Sequence, residues 1–422
     1  VSAPARPLDL TLIASFRSAT AADAETKRDH RRHRLCWSSV KLLRLGDRGP
    51  RVADARVALA FLSFLPAAPR QPDGEAAGIT GAELFDENLD RAVRAFQQSR
   101  GLSVDGIIGP DTARSLEEAR HGLGDRLLYH APSQPLIGDD VAALQERLSN
   151  MGFDVGRSDG IFGPRTESAV RDFQRNRGLE PDGRCGPHTL RELKRLERTV
   201  TGGRPDMLRE SVRLLVRGPS LLGMLVAIDA GHGGDDQGVV AHGLTERDVV
   251  ADLARRLETR LVSSGLETFW VHSEDESPDE AERARRANDQ GADLLVSLHV
   301  DASDSPKAEG ISCYYFGNAR GSSAVGERLA ALIQKELVSR TDLVDCWTHA
   351  KTWDLLRRTT MPAVRIEVGY LTNIRDAAAL GSADYRANVA EAILAAIQRL
   401  YLPPEQDPPT GQLRVPRVAT RS

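Results

Sequence analysis

Cysteine is scarce: the 422 residues hold four, Cys36, Cys185, Cys313 and Cys346, and no two form a C-x-x-C pair. A disulfide framework and a thiolate metal site are therefore not expected, which leaves the cysteines as small core residues. No apolar run reaches 18 residues, so no segment reads as a transmembrane helix. Excess charge is small, −4, which implies neither a nucleic-acid surface nor an anionic-membrane surface. Lysine is nearly absent, 6 against 50 arginines, a bias read as GC-rich coding and not as phosphate recognition. A convincing export signal is also missing. The apolar stretch "LDLTLIASF" is short, only Arg6 precedes it, and the basic cluster "KRDHRRHR" follows it.

What is present is enough chain for two to four domains, opened by residues 1–40 as an expected disordered leader. The first organised feature is an internal repeat. "LDRAVRAFQQSRGLSVDGIIGPDTARSL" (89–116) aligns without gaps on "TESAVRDFQRNRGLEPDGRCGPHTLREL" (166–193), with 15 of 28 positions identical. Val93, Phe96 and Leu102 recur at helical spacing, as do Val170, Phe173 and Leu179, and predict an inward face. The Gly of "RGL" ends a helix and "DGxxGPxT" forms a turn with Pro just inside the next helix. Each copy predicts a small bundle of about three helices. The boundaries expected are 41–118 for the first, 119–136 for a linker and 137–197 for the second. Both copies resemble the peptidoglycan-binding domain carried by many cell-wall hydrolases, which implies peptidoglycan or its precursors, glycan and stem peptide, as partner.

After a second linker, 198–222, the pattern changes. "MLVAIDA", "LETFWVH", "ADLLVSLHV", "GISCYYF" and "PAVRIEVG" read as strands that alternate with amphipathic helices. Residues 223–402 therefore predict a three-layer α/β domain. Residues 403–422 are Pro-rich and predict a disordered tail.

In such sheets ligands gather at the carboxyl ends of the strands. His232 follows one strand end on a Gly-rich turn, "GHGG". His299 closes another strand, Glu367 lies near the end of a third, and Glu246 starts the helix after the first. Two imidazoles and one carboxylate suit a three-ligand catalytic Zn2+ site, and a second carboxylate beside it suits proton transfer. Such a set fits hydrolysis of an unactivated amide. Asp229 and Asp301 flank the histidines and are candidates to orient the imidazoles.

With "IDAGHGG", "GLTERDVVADLA", "SLHVDA" and "PAVRIEVGYLTN" in this order, residues 224–401 resemble the zinc-dependent N-acetylmuramoyl-L-alanine amidases. The resemblance implies a mixed, mostly parallel six-stranded sheet, zinc on His232, Glu246 and His299, and Glu367 as the catalytic carboxylate. "RARRAN" fits as well, which adds Arg283 and Asn288 as supporting residues. Ala230, "VHSEDE" and Tyr370–Asn373 depart from the usual family residues without touching a ligand position. Ten residues between His299 and Gly310 are too few for the blocking helix of some relatives, so an open cleft is expected.

The activity implied is hydrolysis of the bond between N-acetylmuramic acid and L-alanine. The whole layout also resembles an actinobacterial group regarded as regulators inside the cell. This implies an alternative: a cytoplasmic, non-hydrolytic regulator of peptidoglycan precursor synthesis, partnered by an enzyme of that synthesis. Localisation reads as cytoplasmic from the absent signal, and as extracellular or cell wall if the true start or export route differs.

Overall fold

The computed structural model describes residues 42–66, 83–196, 210, 212, 214, 220–318, 320–402 and 406–413. The expected leader, Cys36, residues 67–82 and most of the linker 198–222 lie outside the described residues.

The first repeat contains α1 (Pro50–Phe61), α2 (Glu87–Arg100) and α3 (Pro110–Glu118), and the second α4 (Asp139–Asn150), α5 (Pro164–Asn176) and α6 (Pro187–Arg195). Gln97 explains the repeated motif. Its side-chain amide donates to Asp105 Oδ1, the Ile107 carbonyl and Thr112 Oγ1, and its Oε1 accepts from Gly106 N. Three acceptors share the two amide hydrogens and the amide oxygen accepts once, and these bonds tie the helix to the turn that follows it. Gln174 repeats this lock with Asp182, Arg184, Thr189 and Gly183. Gln145 makes it a third time, with Asp159, Ile161, Thr166 and Gly160, on the turn "SDGIFGPRT". That third copy of the turn is missed when only 89–116 and 166–193 are compared. In the first repeat Arg56 stands in the Gln145 place, donating to the Leu84 carbonyl at 2.8 Å and pairing with Asp86 at 3.0 Å.

Two expectations need correction. Residues 119–136, expected as a linker, belong to the second repeat. Leu128 is buried in its core, with its backbone paired to Cys185, and Leu123 and Leu136 pack against the same cluster. Apolar side chains at turn-rich spacing gave no periodic signal there. Residues 406–413, expected within a disordered tail, lie against the catalytic-type domain. Asp407 pairs with Arg399 at 2.6 Å, and Gly411 N donates to Glu336. Buried Glu336 and Arg399 need these partners, which outweighs the Pro-rich composition.

The α/β domain is built on strand order β4–β1–β5–β8–β6–β7. These strands are β1 (Leu225–Ala230), β4 (Glu267–Trp270), β5 (Leu294–Asp301), β6 (Ile311–Phe316), β7 (Asp345–Lys351) and β8 (Ala363–Tyr370); β2 (Val240–Ala241) and β3 (Leu244–Thr245) form a separate hairpin. β4, β1, β5 and β8 are mutually parallel; β6 runs antiparallel to β8 and parallel to β7. The sheet is therefore six-stranded, mixed and mostly parallel. Its edge strand β7 has no sequence signal, because its alternating exposure lets it carry polar residues throughout.

Alternation of side chains divides the sheet into two faces. One carries Val226, Ile228, Val296, Leu298, Val364, Ile366 and Val368 into a core with α7 (Glu246–Ser263), α9 (Ala324–Arg340) and α12 (Ala383–Tyr401). The other carries Ala227, Leu295, Phe316 and Ala363 under α8 (Glu280–Asp289) and α10 (Asp354–Arg358). Toward the carboxyl ends of β1, β5 and β8 this second face turns polar, with Asp229, Ser297, His299, Arg365 and Glu367 in place of the apolar residues. A short helix, α11 (Ile374–Gly381), follows β8.

The repeats are fastened to this domain. Arg357 on α10 makes a double ion pair with Glu118 at the end of α3, both contacts 2.8 Å, and donates to the Asp159 carbonyl at 2.6 Å. Arg114 pairs with Asp354 at 2.8 Å, and Thr352 Oγ1 donates to the Arg100 carbonyl. One arginine thus ties both repeats to the domain.

Candidate functional site

β1 runs into the turn Gly231–Gly234, where His232 adopts φ 68°, a left-handed conformation costly for a side chain with a Cβ. The turn is held by Gly231 N, which donates to the Leu298 carbonyl at 2.8 Å. Gly231 has to be glycine: a Cβ there would lie 2.4 Å from the His299 ring. Gly238, at φ 61°, passes so close to the site that a Cβ would lie 2.6 Å from Glu246 Oε2. Bare backbone on this turn therefore makes room for two imidazoles and a carboxylate.

Glu246 is the first residue of α7. Thr245 caps that helix through its side chain, and β3 delivers the chain to it. A carboxylate at a helix N-terminus is favoured by the macrodipole, and many such acids do nothing else. Glu246 differs because it is buried and points inward. Its Oε2 lies 3.1 Å from His232 Nε2, and its Oε1 lies 3.1 Å from His299 Nδ1. Val239 N and Val300 N donate to the same two oxygens. One ligand atom from each of His232, Glu246 and His299 falls within a sphere where all lie within 4.8 Å of one another. The two rings stand 5.4 Å apart at 76°, edge to face.

The protonation states of His299 and Glu246 suit a cation. Burial, with Arg365 nearby, pushes His299 down to about 4, so its imidazole is neutral at pH 7. Burial works against ionised Glu246, but its bonds to His232 and His299 outweigh it and hold the carboxyl well below the usual range. Burial likewise opposes protonated His232, and the Glu246 and Asp236 carboxylates outweigh it and raise it. Asp236 Oδ2 lies 2.8 Å from His232 Nδ1. With the ring proton held there, Nε2 presents its lone pair to the centre of the cluster.

Glu367 stands beside this group: it pairs in register with His299 across β5 and β8. Its Oε1 accepts from Arg365 Nε at 2.8 Å, while its Oε2 is buried with no partner among the described residues. Burial raises it to about 7, against the opposing pull of Arg365. An unpartnered buried carboxylate oxygen, poised to titrate near neutrality, is equipped to accept a proton from water.

The supporting residues expected from the sequence separate into different tasks. Asp229 does not reach an imidazole of the cluster. It is buried, accepts from Arg283 at 3.0 Å and from Ser297 at 2.6 Å, and lies 3.5 Å from His272. Arg283 also donates to the Pro278 and Ala230 carbonyls, so this pair fixes the end of β1 beneath the turn. Asp301 accepts from Ala302 N and makes no bond to either imidazole. Asn288 makes its bonds elsewhere, tying α8 to the end of α10 and the residues after it through the Arg358 carbonyl and Thr360. The imidazole-orienting role expected of Asp229 and Asp301 falls instead to Asp236. It was legible only as part of "GGDDQG", where nothing distinguishes it from Asp235. His242, His272 and His349 lie outside the cluster. Cys346 is half-buried, its thiol donating to the Glu309 carbonyl, while Cys185 and Cys313 are core residues. Between β5 and β6 the chain forms no helix, as the short spacing implies.

Comparison with known proteins agrees with these features. Residues 226–399 match the family described as N-acetylmuramoyl-L-alanine amidase, and residues 48–116 and 137–193 each match a peptidoglycan binding domain. N-acetylmuramoyl-L-alanine amidase CwlM of Mycobacterium tuberculosis is 47% identical over 374 residues, which span 87% of this chain and 92% of that protein. YqiI of Bacillus subtilis, an uncharacterised protein, is 35% identical over 42% of this chain and 85% of its own length. Among solved structures, an N-acetylmuramoyl-L-alanine amidase from Clostridium difficile 630 is 28% identical, with TM-score 0.40, over 42% of this chain and 95% of that one.

Proposed function

The chain belongs to the N-acetylmuramoyl-L-alanine amidase family, and on that premise we propose that His232, Glu246 and His299 hold one zinc ion and that Glu367 is the general base. Its reaction is hydrolysis of the amide between N-acetylmuramic acid and L-alanine, and peptidoglycan is its substrate.

The donor set fits zinc. Two neutral-capable imidazoles and one ionised carboxylate converge from three separate elements, and Asp236 fixes the tautomer of His232. Zinc bound there supplies Lewis acidity, polarising the scissile carbonyl and lowering the pKa of water to about 7. The remaining work falls to the chain. Glu246 arrives with its charge paid for by two backbone N–H groups and the start of α7, so it stays ionised without drawing on solvent. Glu367 Oε2, free of any donor, takes the proton from the attacking water as that oxygen bonds to the carbonyl carbon. It then gives the proton to the nitrogen of L-alanine as the C–N bond breaks. Arg365 holds Oε1 and so aims Oε2 through both steps.

The single observation that carries this reading is the meeting of His232, Glu246 and His299 with an unpartnered carboxylate oxygen next to them. The family match and the intact set favour the hydrolase over the non-hydrolytic regulator. Digestion of purified cell wall by zinc-loaded protein, scored as new L-alanine amino termini, is the test. Release that disappears in Glu367→Gln supports the reading. No release from wall or from soluble muropeptides defeats it.

A further inference from the structure

Trp347 is 71% exposed and sits at φ 67°, so a large apolar side chain is held in a strained backbone conformation at the edge of the sheet. Its place follows from the register. His299 pairs with Glu367, and Glu367 pairs with Ser312 on β6. On the next strand Ile311 pairs with Asp345 and Cys313 with Thr348, so two residues, Cys346 and Trp347, stand opposite Ser312. The row that carries His299 and Glu367 therefore ends in a bulge containing Trp347. Bulges of this kind re-aim a side chain beside active sites.

The bulge is secured on all sides. Trp347 N donates to Asp345 Oδ1, which Gln334 holds at 2.7 Å. His349 Nε2 lies 2.7 Å from the Cys346 carbonyl, and the Cys346 thiol donates to Glu309. None of these bonds requires an indole. Next to it, Tyr314 lies 5.7 Å from the His349 ring and 4.7 Å from Trp353, and Arg365 lies over Trp353. An aromatic floor thus extends from the base toward the β7 edge. Two strand spacings, about 10 Å, separate the Glu367 and Trp347 backbones, the reach of a saccharide beyond the reacting amide.

We propose that Trp347 is a specificity-determining residue that stacks on the apolar face of a glycan pyranose next to the N-acetylmuramic acid being cleaved. This rests on the amidase reading above. A sugar presents flat C–H faces with polar edges, which suits an exposed indole on the strand whose His349 packs against Tyr314. A stem peptide would call for partners to its carboxylates. Arg365 is committed to Glu367 and Glu280, while Lys351 lies over the Tyr314 and Trp353 rings, so a peptide carboxylate would be drawn to that end of the floor and not to the exposed indole.

The test is calorimetric titration of the full-length Glu367→Gln chain with three probes: a disaccharide tripeptide, its muramyl tripeptide lacking the outer N-acetylglucosamine, and the free tripeptide. Adding Trp347→Ala is expected to weaken the disaccharide probe by about tenfold or more. Trp347→Phe recovers most of the loss, and the smaller probes are affected less. In the Glu367-containing protein the same change raises KM and spares kcat. Trp347→Gly, which suits the positive φ, is expected to raise the melting temperature while losing the affinity, and this separates folding from binding. Equal affinity with and without Trp347 overturns the proposal, as does an equal loss on the free tripeptide or no binding by the Glu367→Gln parent. Hydrolysis by the unsubstituted chain is scored separately, so a failure of the amidase reading is seen as such.

Discussion

His232 Nδ1 lies 2.8 Å from Asp236 Oδ2, and this one contact turns the other ring nitrogen toward Glu246. The two residues share a turn, four positions apart, so the orienting group comes with the ligand it orients. Carboxylates behind metal-binding imidazoles fix the tautomer and raise basicity, and their loss typically costs 10–100-fold in affinity. Asp236→Ala is therefore expected to weaken zinc binding by about that factor while the fold survives. Competition with a chromophoric chelator measures it. Unchanged affinity would show that His232 needs no such help.

Gly231 faces the His299 ring, with space for no further atom. Gly231→Ala forces the ring or the turn to move and is expected to abolish zinc binding. Gly231 is not at a positive φ, so Gly231→Ala acts through the imidazole alone, whereas Gly243→Ala, at φ 76° in open space, strains the backbone and touches no ring. Metal content decides: zinc is expected to be lost in Gly231→Ala and kept in Gly243→Ala, and full zinc in Gly231→Ala would contradict the steric argument.

Glu367 gives a pH signature. Its folded pKa, about 7, is above the ordinary carboxyl value, so ionising it opposes folding. The penalty is absent below about pH 4, grows as pH rises toward 7, and then stays constant at about 3 kcal/mol. In chelator-treated protein, Glu367→Gln is expected to be more stabilising at pH 8 than at pH 5, as read by urea midpoints. Turnover of the intact enzyme needs the carboxylate, so its rate falls on the acid side of that pKa. A bound dication draws the apparent value lower. A gap between variant and parent that does not change with pH would contradict this assignment.

Much of this was readable from the residues. Glycines around His232, acids and histidines at strand ends, and the F-Q…D-G-x-x-G-P-x-T repeat all follow from local chemistry that leaves a mark in sequence. What escaped did so for physical reasons. β7 is an edge strand with alternating exposure and no apolar run. Leu128 reaches its core from a turn-rich stretch without periodicity. Asp236 acts through a contact that the neighbouring Asp235 matches in composition but not in direction. The third glutamine lock, on Gln145, was hidden because the first repeat carries Arg56 there.

Arg357 links both repeats to the catalytic domain while buried against Glu118. Removing one partner of such a pair costs about 3 kcal/mol or more. Arg357→Ala is expected to separate one urea unfolding transition into two, with the repeats melting first and the amidase domain retaining its metal. A single transition at an unchanged midpoint would show that the junction does not rest on this residue.

The central claim is that three side chains from β5, α7 and the turn after β1 hold one metal ion, with Glu367 beside it but not bound to it. Elemental analysis of the purified full-length chain, dialysed against limiting zinc, addresses it most directly. The account predicts one zinc per chain, lost in His232→Ala, Glu246→Ala and His299→Ala, and retained in a Glu367→Gln protein that no longer releases L-alanine amino termini. Zinc that persists when all three are replaced, or departs when Glu367 alone is changed, would contradict it.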